Sequence, residues 1–215
     1  AGALNSPLMP SINPSMAQPG ASGESEGGSP DQQERLREED EKAFAEVENK
    51  IRVALENDPS LAGLSQNLLL EKTRDGLRIQ LIDQDKRPLF ASGSPTPLAH
   101  TRALLATVAR VIRKAPNKVA IAGHTDSRVF RTGTGYSNWE LSADRANAAR
   151  RILFTQAVPE GRIASVEGKA DREPLLRNNP EAPANRRLSI TLLYRKAGQV
   201  IMESPSTPIE NGVFQ

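Results

Sequence analysis

The spacing of apolar residues divides the chain into segments of different kinds. Between Asp31 and Asp58, Phe44, Val47, Ile51 and Leu55 recur three and four apart, which predicts a helix with one narrow apolar stripe. Ser29-Pro30 supplies its start, with proline at the first helical position, and Asn57-Asp58-Pro59 its end. Its first two turns hold few apolar residues and are expected to project into solvent. "QNLLLEKTRDGLRIQLID" predicts two strands joined at Asp75-Gly76, a strong hairpin signal. A second helix follows, with Thr96 and Pro97 as its cap and Leu98, Thr101, Leu105, Val108 and Ile112 along one side. "KVAIAGHTD" has small apolar residues on both faces, as an inner strand covered by helices requires. A third helix begins at Asn138, and strands are expected near residues 162–167 and 187–194. The order after the first helix is ββαβαββ, an α/β sandwich of helices on a mixed sheet.

The third helix breaks its own pattern. Projected at about 100° per residue, Leu141, Ser142, Arg145, Ala148, Ala149, Ile152 and Leu153 share one side. Glu140, Asp144, Asn147, Arg150 and Arg151 fall on the other. Arg145 therefore sits within the apolar stripe while its two arginine neighbours do not. A buried guanidinium without a partner costs several kcal/mol, so Arg145 must be paired or must meet a ligand anion. Asn138 at the N-cap would leave first-turn N–H groups beside it, a second donor set suited to a carboxylate. Asp126 lies just past the end of the predicted inner strand, where ligands of α/β sheets bind. An acid and an arginine in one crevice can grip a zwitterion, ammonium on Asp126 and carboxylate on Arg145. They can equally neutralise one another, and charge alone leaves both readings open.

Composition narrows the picture around this pair. Residues 1–30 carry five prolines, five glycines and several serines, which reads as a flexible linker. The organisation expected is a linker over 1–30, a charged helix over 31–58, a globular domain over 59–196 and a disordered tail over 197–215. No apolar run approaches the roughly 20 residues of a membrane span, and no signal peptide is evident. The absence of cysteine excludes disulfides, thiolate zinc sites and cysteine nucleophiles. Residues 31–58 hold ten acids against five bases, whereas residues 126–196 hold eight acids against thirteen bases. The basic half would suit nucleic acid, but it lacks interleaved stacking aromatics, so no nucleic-acid partner is expected. His124, Asp126 and Ser127 are too close along an extended strand to converge as a hydrolase triad. With two histidines in the chain, a catalytic metal would rest mostly on carboxylates. Neither an enzyme nor a cofactor is implied.

Asn138-x-x-Leu141-Ser142-x-x-Arg145-Ala146 followed by Leu153 resembles the signature of the OmpA-like peptidoglycan-binding domain. "AGHTD" and "NRRLSITLL" resemble that family's strand-end motif and last strand. "GLRIQLIDQDKRPLF" and "GYSNWELSADRANAARR" are further similar to the MotB family of flagellar stator subunits, over roughly residues 60–195. The resemblance implies a non-catalytic anchor that binds peptidoglycan as a homodimer. It places Asp126 and Arg145 on the diaminopimelate of the stem peptide, with Thr125, Asn138, Leu141 and Ser142 shaping the pocket. Core packing for Leu141 and local capping for Ser142 remain open beside those roles. Arg186 or Arg187 would add contacts to stem or glycan, the other pointing to solvent because strand neighbours face opposite ways. It also implies a periplasmic location, an inner-membrane helix outside this chain and a MotA-type partner subunit reached through it. The alternative is an OmpA-like anchor of an outer-membrane protein or lipoprotein unconnected with motility.

Overall fold

The computed structural model describes residues 29–61, 63–130, 133 and 135–198. Most of the expected linker and tail lies outside these residues. Helix α1 spans Pro30–Asn57, and its N-cap Ser29 accepts a hydrogen bond from the Gln32 N–H at 3.3 Å. Strands β1 (Leu68–Lys72) and β2 (Gly76–Ile82) form the predicted hairpin. Gly76 is required there: its φ is +144°, and a Cβ would lie 1.8 Å from the Leu192 carbonyl oxygen. Helix α2 (Ala99–Ile112), β3 (Val119–His124), α3 (Asn138–Thr155), β4 (Ile163–Gly168) and β5 (Arg187–Leu193) complete the order ββαβαββ.

The sheet order is β1-β2-β5-β3-β4. β5 is antiparallel to both β2 and β3, while β3 and β4 run parallel. The parallel pair needs a crossover, which α3 provides. Leu77, Ile79 and Leu81 of β2, Leu188, Ile190 and Leu192 of β5, and Val119 and Ile121 of β3 are fully buried. Their period of two puts them on one face, where they join Leu104, Leu105, Val108 and Ile112 of α2 and Leu153 of α3 in one core. The alternate positions, Gln80, Arg187, Ser189 and Thr191, form a polar opposite face.

The stripe of α1 is part of this core, since Phe44 and Ile51 are fully buried. Its first two turns are largely exposed, as expected, but they also contact the exit of β5. The Gln33 amide donates to the Arg195 carbonyl at 2.9 Å and accepts from the Ala197 N–H at 2.8 Å. Arg37 lies 4.9 Å from the centre of the Tyr194 ring. One turn before Phe44, buried Asp40 accepts from Asn117, the Arg195 backbone and the Arg195 guanidinium at 2.7–2.8 Å. A polar position inside the stripe is thus neutralised by residues distant in sequence.

The cap of α2 differs from expectation. Its N-cap is Leu98, with no side-chain capping bond. Pro97 is instead bound through its carbonyl, which accepts from Arg102 at 2.7 Å. The helix is held by burial: Thr101 is fully buried and donates to the Leu89 carbonyl at 2.7 Å.

Candidate functional site

Three loop positions meet at one end of the sheet because β5 lies between β2 and β3. Asp83 follows the last residue of β2, Thr125 and Asp126 follow β3, and Arg186 precedes β5. Helix α3 closes the side. It approaches β3 so tightly that a Cβ on Gly123 would lie 2.0 Å from the Ser142 carbonyl oxygen. That approach brings Asn138, Leu141 and Arg145 to the rim and floor of a cleft of about 420 Å³. Phe90 and the backbone around Ser94, from the segment between β2 and α2, supply the facing wall.

Arg145 is 5% exposed and makes no ion pair among the described residues. Its Nε donates to the Ser94 carbonyl at 3.1 Å, and its guanidinium lies 4.6 Å from the Phe90 ring centre. Burial lowers its pKa to about 10, with Asp83 the chief opposing charge, so it remains cationic at neutral pH. The question left open by the sequence is settled in part: Asp126 and Arg145 do not neutralise one another. Asp126 instead accepts from Arg186 Nη1 at 2.7 Å and from the Arg128 N–H at 3.3 Å.

Arg186 is shared. Its Nε donates to Asp83 Oδ2 at 2.6 Å, and Asp83 Oδ1 accepts from the Leu89 N–H. Burial opposes the Arg186 charge, but the two carboxylates outweigh it and raise its pKa. Burial likewise raises Asp83, against the pull of Arg186 and Leu89. Both Asp83 oxygens accept from N–H donors, the arrangement of a carboxylate rather than an acid.

Of the residues expected at the site, Thr125, Asp126, Asn138, Leu141, Arg145 and Arg186 line the cleft. Thr125 is buried, and its hydroxyl has no hydrogen-bond partner among the described residues. Asn138 is not the N-cap. Ser137 holds that place in a capping box with Glu140, so first-turn donors are already engaged. The Asn138 amide donates instead to the Arg128 carbonyl at 2.9 Å and ties the β3–α3 loop to the helix.

Ser142 and Arg187 lie away from the cleft. Ser142 is fully buried, donates to the Trp139 carbonyl at 2.9 Å and accepts from the Ala170 N–H at 3.0 Å. Arg187 occupies the polar face of the sheet but does not point to solvent, being 8% exposed. It donates to the Gln80 side chain at 2.8 Å and to the Glu173 carbonyl at 2.7 Å. Burial lowers its pKa to about 10.

Asp83 and Phe90 are site residues to which the sequence reading assigned no role. The signal for Asp83 was its place one residue past β2, close to the place of Asp126 two residues past β3. A larger groove of about 1070 Å³ lies at the opposite end of the sheet, near the start of α1. Of its charged lining residues, Glu34, Arg37, Arg74, Asp75 and Lys196 are exposed, Lys118 is half-buried, and half-buried Arg195 is paired with Asp40 and Glu39, so it holds no fully buried charge like that of Arg145. Among the described residues, no group of three or more His, Asp or Glu could hold a metal ion. No helix among them is long and apolar enough to cross a membrane.

Residues 89–187, which include most of the cleft, match the OmpA family. Motility protein B of Escherichia coli K12 is 39% identical over 160 residues, covering 72% of this chain and 52% of that protein. The chain thus spans about half the length of that relative. The cell wall anchor of the T6SS from Pseudomonas aeruginosa superposes with a TM-score of 0.52 at 32% identity, over 61% of this chain and 90% of that one. A putative MotB-like protein from Desulfovibrio vulgaris shares the fold, with a TM-score of 0.62 at 20% identity over 76% and 96% of the two chains. The chain carries an OmpA-like domain, homologous to that of motility protein B.

Proposed function

We propose that the chain binds peptidoglycan without catalysis, taking the free α-amino-acid end of diaminopimelate in the stem peptide. The observation that carries this reading is Arg145, a buried guanidinium with no acid partner among the described residues, on the wall of a cleft that also holds Asp126. A carboxylate entering the cleft pairs with Arg145 in a charge-assisted hydrogen bond, stronger than its present bond to a neutral carbonyl. The ammonium three bonds away meets Asp126. Leu141 and Phe90 shield both contacts from water, which strengthens them.

In this reading the chain is the wall-anchoring part of a flagellar stator subunit. It works in the periplasm as a homodimer, joined to the inner membrane by a helix outside this chain and through it to a MotA-type subunit. The likeness to motility protein B supports the stator assignment. The likeness to the T6SS cell wall anchor favours the broader alternative, an OmpA-like wall anchor not linked to motility.

Co-sedimentation with purified sacculi tests the binding. The chain is expected in the pellet, and Arg145→Ala and Asp126→Ala in the supernatant with melting curves still cooperative. Wild-type protein left in the supernatant contradicts the proposal. Restoration of swimming when the domain replaces its counterpart in a motility protein B separates the stator from the general anchor.

A further inference from the structure

The charges around the cleft do not balance pair by pair. Two carboxylates, Asp83 and Asp126, share the single guanidinium of Arg186, at 2.6 and 2.7 Å. One negative charge is therefore left over on the acid side. Arg145 supplies one positive charge with no ion-paired acid among the described residues. The leftover pair is the complement of a zwitterion, and it exists only because Asp83 draws part of Arg186 away from Asp126.

We infer that Asp83 is the residue that makes the cleft selective for an ammonium-bearing ligand, although it acts through Arg186 rather than by touching the ligand. Asp83 is suited to this because it is 5% exposed and anchored by the Leu89 N–H, so it keeps Arg186 Nε in place. With Asp83 neutral, Arg186 belongs to Asp126 alone. The acid side then carries no net charge, and an incoming ammonium loses its attraction while the carboxylate seat at Arg145 survives. The cleft becomes a site for simple carboxylates. This inference rests on the proposed stem-peptide binding and adds the origin of its selectivity.

Two probes differing in one group decide it: a stem tripeptide ending in meso-diaminopimelate, and the same tripeptide ending in 2-aminopimelate, which lacks the distal amino group. Wild-type protein is expected to prefer the first by about ten- to a hundredfold, the worth of one hydrogen bond to a charged group. Asp83→Asn, which retains an acceptor for the Leu89 N–H, is expected to bind both about equally. The double variant Asp83→Asn/Arg186→Gln frees Asp126 again and is expected to regain the preference. Arg186→Gln alone, which also frees Asp126, is expected to keep the preference and gives a check independent of whether Asp83→Asn folds. Full preference retained in Asp83→Asn, or lost in Arg186→Gln, overturns the role of Asp83. Failure of wild-type protein to bind either peptide overturns the wall-binding reading itself.

Discussion

Arg186 Nη1 donates to Asp126 Oδ2 at 2.7 Å, so the acid that the sequence sets opposite Arg145 is held by a different arginine. This relationship changes what each residue is for. Arg145 is not the counter-ion of a structural bridge. It is a desolvated cation kept in place by an aromatic face and one carbonyl, and the fold gains little from its charge.

Replacing Arg145 should therefore cost the fold little. Arg145→Met keeps the apolar contact with Phe90 and removes the cost of burying the charge. Its stability is expected within about 1 kcal/mol of wild type or higher, since Arg145 is in no ion pair among the described residues and the cost of desolvating its charge disappears with it. Urea unfolding measures this. A loss of several kcal/mol would show that Arg145 carries the structure.

Arg162 makes the opposite case. It is 7% exposed, and its guanidinium donates to the carbonyls of Ile112, Arg113 and Asn117 at 2.6–3.2 Å, closing the end of α2. Arg162→Ala strips several charge-assisted bonds from buried carbonyls and is expected to destabilise by about 2–4 kcal/mol. Its melting temperature should fall while sacculus binding by the folded protein persists. An unchanged melt would contradict the assignment.

His124 should set part of the acid sensitivity. The ring is 3% exposed, its Nδ1 has no partner among the described residues, and burial, then Arg187 and Lys169, push its pKa down to about 3. In the unfolded chain the ordinary value is about 6.5. Below that pH the unfolded chain takes up a proton that the fold refuses, so stability falls as pH drops, by up to about 1.4 kcal/mol per unit. The loss ends near pH 3, where the folded ring also protonates. Comparing urea midpoints of wild type and His124→Gln from pH 7 to pH 4 checks the slope. Equal slopes would remove His124 from the account.

The element order was legible because each element keeps its period, and Arg145 stood out because a single residue broke one. Asp126 was legible from its place at a strand end. The bridge between Asp83 and Arg186 was not, because the partners lie 103 residues apart and meet only once β5 inserts between β2 and β3. The cap of α3 was written in Ser137-x-x-Glu140, but Asn138 is an equally good capping residue by type. For Arg186 and Arg187 the alternation rule separated their directions correctly. It could not show that the second direction ends in Gln80 and the Glu173 carbonyl rather than in water.

The most direct test of the account is equilibrium binding of the diaminopimelate-terminated stem tripeptide to wild type, Arg145→Met and Arg162→Ala, each below its melting temperature. Wild type and Arg162→Ala are expected to bind alike. Arg145→Met is expected to lose about a hundredfold or more, the cost of a buried charge-assisted contact. Binding by Arg145→Met equal to that of wild type would contradict the claim that this arginine receives the ligand carboxylate.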